Sequence, residues 1–209
     1  MASEPSGEPA RAVPPELIAE ARRTFDVASQ CPMLSVLDLR PASAKARVGP
    51  TTNPIIWAVG HLAGHQDVAV VGINGRKPIL PEMIMRCFSW GTDPSKDLPG
   101  YPAFAEVMDA YIEVTAASKR VLSEAPPEEW STVCIDAQGE RFRSGETLLE
   151  SVRRVSLHHM HHVGCITAIR KELADKCPRG FVPGMSDEAL AKQQAQFDAF
   201  WQAHRDDYV

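Results

Sequence analysis

The chain has 209 residues, 44 % of them hydrophobic and 23 % charged, with a formal net charge of −5. That length suits one domain with a real core, and the acidic balance leaves no extended basic surface for nucleic acid. The N-terminus, "MASEPSGEPARAVPPE", lacks the apolar core of a signal peptide, and no later run reaches the roughly 20 apolar residues of a membrane span; a cytoplasmic protein without a membrane partner is expected. The cysteines, Cys31, Cys87, Cys134, Cys165 and Cys177, form no CxxC pair. Neither a disulfide framework nor a cysteine zinc knuckle is indicated, so any metal would need histidine ligands.

Residues 1–13, rich in Pro, Ala, Ser and Glu, read as a disordered tail. A first helix is expected from Pro14 to about Cys31, with Leu17, Ile18, Ala21, Phe25 and Ala28 at helical spacing and Pro32 and Pro41 interrupting the pattern. A second is expected from Asn53 as N-cap and Pro54 at the first helical position to a stop at Asn74-Gly75. "ILPEMIMRCFSWGTDPSKDLPG" reads as an ordered loop packed on the bundle; its Met83, Phe88 and Trp90, with Trp57 of the second helix, read as core residues that could also wall a cleft. A third helix spans about Pro102 to Glu124, burying Phe104, Val107, Tyr111, Val114 and Leu122. "STVCIDAQGERFRSG" partly alternates around Gln138-Gly139 and suggests a short hairpin. The fourth helix opens with Ser144 as N-cap and Glu146 in its first turn and runs to about Ala174. A proline-broken loop leads to a last helix capped by Ser186, with Leu190, Phe197 and Trp201 on one stripe.

These elements make an all-α protein: an up-down four-helix bundle with an extra C-terminal helix and a short hairpin before helix four. Residues 14–176 form the bundle, and residues 177–209 pack on it or on a partner subunit.

"SLHHMHHVGCI" places four of the seven histidines within five positions of the fourth helix. Histidines four apart differ by about 40° in direction and one turn in height, so two imidazoles can meet one ion on a regular helix. His158 and His162 have that spacing, and His61 and His65 repeat it on the second helix. His61 shares a stripe with Trp57, Gly64, Val68 and Val71 and is the better inward ligand, while His65 lies toward the edge. On the fourth helix His159 falls almost on the apolar centre and His158 on its flank, so periodicity also permits His159 with His162. His161 points furthest away. Each histidine alone reads most simply as a surface or hydrogen-bonded core residue; the doubled pattern on two facing helices favours metal binding.

Two segments resemble the DinB-like (YfiT-like) superfamily of metal-dependent four-helix proteins. "NPIIWAVGHLAGHQD" is similar to its second-helix signature, an aromatic residue followed by Gly-His-Leu, which implies His61 as first ligand. "HHMHHVGCI" is similar to its fourth-helix pattern of His, three residues, His, any residue, Gly, which implies His158 and His162 as the others, with Gly164 as the motif glycine. The likeness covers roughly residues 14 to 175 and favours His158 over His159. Many relatives have Gln after that glycine where this chain has Cys165, which reads here as an ordinary small buried residue.

Three neutral imidazoles leave a divalent cation coordinatively open, an arrangement suited to catalysis. Zn²⁺ is the default, with Ni²⁺, Fe²⁺ and Mn²⁺ as alternatives. The resemblance implies a small-molecule substrate and a low-molecular-weight thiol bound for S-transfer or isomerisation, and a homodimer. The alternatives are a hydrolase using metal-bound water, with His65 or Asp67 as base, and a non-catalytic metal- or ligand-binding bundle. Arg76, Lys77 and Arg86 are weak candidates for meeting carboxylates on an anionic thiol.

Overall fold

The computed structural model describes residues 12–93, 100–143, 145–176 and 186–209. The expected tail lies almost wholly outside these residues, as do Ser144, Cys177 and the loop before the last helix.

α1 (Pro15–Ser35) starts with proline at its first position, where the missing N–H costs nothing. It does not stop at Cys31 but runs through Pro32. The proline removes the hydrogen bond that residue 32 would have given the Ala28 carbonyl; burial of Cys31, Pro32 and Met33 offsets that loss, and the Tyr111 hydroxyl donates to the Ser29 carbonyl at 2.8 Å. Pro41 instead begins the one-turn α2 (Pro41–Ala44).

α3 (Ile55–Gln66) is capped by Pro54, one residue later than expected, with no side-chain cap. It continues as a π-helical turn, Asp67–Val71, in which the Gly72 N–H reaches back to the Asp67 carbonyl at 2.6 Å. Asn74 and Gly75 then reverse the chain with φ of 55° and 81°, as their sequence predicts. The fully buried Asp67 carboxylate accepts from the Ile79 and Leu80 N–H groups, both at 2.9 Å, and ties the returning segment to the π turn.

The Pro- and Gly-rich connection, for which the sequence pattern predicts a loop, contains a short helix, α4 (Glu82–Phe88). α5 (Phe104–Glu124) buries all five residues expected on its face. After it, the hairpin reduces to two isolated antiparallel bridges, Val133 with Thr147 and Ile135 with Arg141.

α6 (Leu148–Glu172) begins later than expected. Its N-cap is Thr147, whose hydroxyl accepts from the Glu150 N–H while the Glu150 carboxylate accepts from the Thr147 N–H, a reciprocal capping box. Glu146 lies outside the helix and instead accepts from Arg154 Nε at 2.8 Å. The Ala174 backbone turns left-handed (φ 49°) just past the helix end. α7 (Asp187–His204) is capped by Ser186 as expected. It lies on the bundle through α1, and its C-terminal end is fixed to α5 by Asp109, which accepts from Trp201 Nε1 at 2.9 Å and pairs with Arg205 at 2.6 Å.

α1 packs along α6, and α3 packs against both α5 and α6, giving an all-α bundle with an added C-terminal helix. One part of the core joins α3, α4 and α5 to Trp201 and Tyr208; the other joins the N-terminal half of α1 to Trp130, Phe142 and the start of α6. Arg170, fully buried, donates to the Ser35 and Leu37 carbonyls at 2.7 and 2.8 Å, tying the end of α1 to α6. No described helix is long and apolar enough to cross a membrane.

His159 belongs to this core. It is fully buried between Phe25 and Tyr111, and its Nδ1–H donates to the Val155 carbonyl at 2.7 Å. Burial lowers its pKa to about 4. The unfolded chain therefore takes up a proton first: this stability term is intact above the ordinary value of 6.5 and is lost as the pH falls toward 4. In urea unfolding at about pH 7.5 and 4.5, His159→Leu should reduce the acid-induced loss by about 2–3 kcal/mol relative to wild type; an unchanged loss would contradict this placement.

Candidate metal centre

α3 and α6 face each other with their histidine pairs in register. Donor atoms of His61, His158 and His162 all lie within 4.8 Å of one another. His162 Nε2 is 3.0 Å from His158 Nε2, and the His61 ring centroid is 5.1 and 5.2 Å from those of His158 and His162. Three ring nitrogens from two helices thus converge as the doubled spacing suggested.

His61 is oriented from behind. Its Nδ1 lies 2.9 Å from the Phe88 carbonyl, which can only accept, so Nδ1 carries the proton and Nε2 keeps its lone pair. Trp57 stacks on the same ring at 4.5 Å and 12°, and is itself held by Thr92, whose hydroxyl accepts from Trp57 Nε1 at 2.8 Å. The approach of Phe88 depends on Gly60: a Cβ there would stand 2.3 Å from the Phe88 ring. The glycine before His61 therefore has a steric role. Gly164, the other motif glycine, is exposed, and a Cβ on it would meet nothing within 4 Å.

His65 stands behind His158. Arg154 Nη1 lies 2.7 Å and Arg143 Nη2 3.5 Å from His65 Nε2, while His65 Nδ1 lies 2.8 Å from His158 Nδ1. A guanidinium can only donate, so His65 Nε2 accepts and its Nδ1–H donates to His158. That leaves His158's own proton on Nε2, facing His162. A cation at Nε2 would displace this proton, so metal uptake and the Arg154–His65–His158 chain are coupled.

The electrostatics suit a cation. Burial lowers the pKa of all four rings: His65 to about 2, with His158 and Arg154 adding to the effect; His162 to about 3 and His158 to about 4, each aided by neighbouring histidines; His61 in the same direction, opposed by the Phe88 carbonyl. At neutral pH the rings are uncharged; the Nε2 lone pair of His61 is free, and those of His158 and His162 become available for ligation once the Nε2 proton of His158 is displaced.

The cluster opens into a cavity of about 830 Å³. His61, His65 and His158 line it together with Ile84, Met85 and Phe88, and the strongly exposed Trp90 and Leu157 stand at its edge. Of the aromatic and Met residues considered from sequence, Phe88 and Trp90 line the cavity, Trp57 supports His61, and Met83 is exposed outside the lining. Arg76 is occupied elsewhere by Glu129 at 2.7 Å, and Lys77 and Arg86 do not line the cavity. Its cationic groups are Arg143 and Arg154, which sequence reading missed: Arg143 sits in an irregular segment with no period, and Arg154 is a turn away from the histidine motif. Asp67 is engaged by the backbone N–H groups of Ile79 and Leu80. His161, exposed, approaches Cys165 Sγ at 3.8 Å, and these two with His162 form another group whose donor atoms lie within 4.8 Å. His159 faces the core.

A helical bundle with converging histidines between two helices is the class that the fold and the site define. Residues 16–166 match the family model of the DinB superfamily, and the chain belongs to that superfamily. No curated protein and no solved structure gives a significant match.

Gly60→Ala should push Phe88 away and remove the carbonyl that orients His61. Zinc affinity, measured by competition with a chelator, is expected to fall about 10–100-fold, with about 1–3 kcal/mol of stability lost to overpacking. Wild-type affinity in the folded variant would show that the Phe88 contact does not orient a ligand.

Proposed function

We propose that this protein is a metal-dependent enzyme in which His61, His158 and His162 hold one divalent cation and present it to the cavity, where a low-molecular-weight thiol is activated for S-transfer or isomerisation. Zn²⁺ suits three imidazole nitrogens, and Ni²⁺, Fe²⁺ and Mn²⁺ fit the same donor set. The cation supplies Lewis acidity, which lowers the pKa of a thiol bound to it so that the thiolate is present at neutral pH.

The chain's own residues do the rest. Phe88 and Trp57 fix the His61 ring, and His65 braces His158 from the side away from His162. Ile84, Met85 and Phe88 give the cavity apolar walls that exclude water from a reacting sulfur. The observation that carries the reading is the cavity itself: two of the three proposed ligands line a space large enough for a small molecule, and its edge reaches solvent at Trp90 and Leu157. A closed structural site would be surrounded by protein instead.

The test is metal content in protein purified without a histidine tag, for wild type, His61→Ala and His158→Ala. We expect close to one equivalent in wild type and almost none in either variant, and the loaded wild type should accelerate attack of a small thiol on an electrophile. Absence of metal from wild type, with stripping controlled for, would overturn the reading; metal-dependent hydrolysis without thiol turnover would replace it with the hydrolase.

A further inference from the structure

The cavity has an uneven charge distribution. Its described lining contains two guanidinium groups, Arg143 and Arg154, and no carboxylate. The two flank the Phe142 ring, with their guanidinium carbons 5.8 and 5.7 Å from its centroid, and both approach His65 Nε2. Arg154 is neutralised in place by Glu146, whose two oxygens each accept from its Nε at 2.8 Å. Arg143 meets no carboxylate among the described residues. It is exposed, yet its guanidinium lies against an aromatic face at the cavity wall, and its backbone holds a left-handed φ of 51° that a non-glycine residue adopts at a cost. The turn is closed by the Gly145 N–H donating to the Phe142 carbonyl at 3.1 Å.

A cationic fork on a wall that carries no carboxylate, with its nearest basic neighbour already paired, favours an anion from solution. We propose that Arg143, backed by Arg154, forms an oxyanion-binding corner of the cavity, so that the molecule bound there has an apolar body and one carboxylate or phosphate group. The apolar body lies against Ile84, Met85 and Phe88, and the anionic group accepts the guanidinium hydrogens of Arg143. This inference rests on reading the cavity as the substrate cleft. It narrows the substrate class to amphipathic monoacids or phosphate esters, as the thiol or as its electrophilic partner.

The test uses metal-free protein, so that it stands apart from the question of metal. Benzoate, phenyl phosphate and benzyl alcohol are titrated by NMR into wild type, Arg143→Gln and Arg143→Lys. Wild type should bind at least one of the two anions about tenfold more tightly than the alcohol. Arg143→Gln should abolish that preference, Arg143→Lys should keep part of it, and the affinity for benzyl alcohol should be the same in all three proteins. The preferred anion identifies carboxylate or phosphate as the group recognised. Equal affinities in wild type, no binding of any probe, or an anion preference that survives in Arg143→Gln would overturn the proposal. Failure of the metal-content measurement with this preference intact would remove the metal reading alone.

Discussion

Imidazole rings fill the seam between α3 and α6, and their requirement for partners orders much of what surrounds them. Burying a histidine costs free energy unless the ring is neutral and its N–H is satisfied. The rings find partners in different ways: His61 donates to the Phe88 carbonyl, His65 accepts from Arg154 and donates to His158, and His158 and His162 face each other across 3.0 Å. These bonds hold ring nitrogens near one point without charging any ring. They also explain features that have no other evident purpose, including the bare Cα of Gly60, the position of α4 and the pairing of half-buried Arg154 with Glu146.

The proposed site divides into a coordinating side and a recognising side. The converging nitrogens belong to long helices, whose backbone hydrogen bonds keep the ring spacing fixed. The cavity wall comes from α3 and α4, from Arg143 beside Phe142 and from the exposed flank of α6. Membership of the DinB superfamily accounts for the bundle and for the histidine arrangement. The neighbouring cationic and apolar surfaces are where a choice of substrate would be encoded.

Much of the bundle was legible because amphipathic helices advertise themselves by period. Phe104, Val107, Tyr111, Val114 and Leu122 were expected on one face and are buried, and the i, i+4 histidine pairs were recognisable on the same grounds. Periodicity could not separate His158 from His159, since the two are neighbours near the same apolar flank. Resemblance favoured His158, and the structure puts His159 in the core against Phe25 and Tyr111. The boundaries failed where local signals competed. Pro32 looked like a stop but sits in a segment buried enough to continue as helix, and Thr147 with Glu150 made a complete capping box downstream of the expected start. α4 was hidden by flanking prolines and glycines. The Arg154–His65–His158 chain joins residues 89 positions apart at its outer end, and no local pattern encodes such a contact.

The most direct test of the central claim is anomalous diffraction at the zinc edge from crystals of the zinc-loaded protein. A single peak bonded at about 2.0–2.1 Å to nitrogens of His61, His158 and His162, with at least one position open to the cavity, is the predicted result. A peak on His161 and Cys165 with the other cluster empty, or no ordered zinc on the protein at all, would contradict the account.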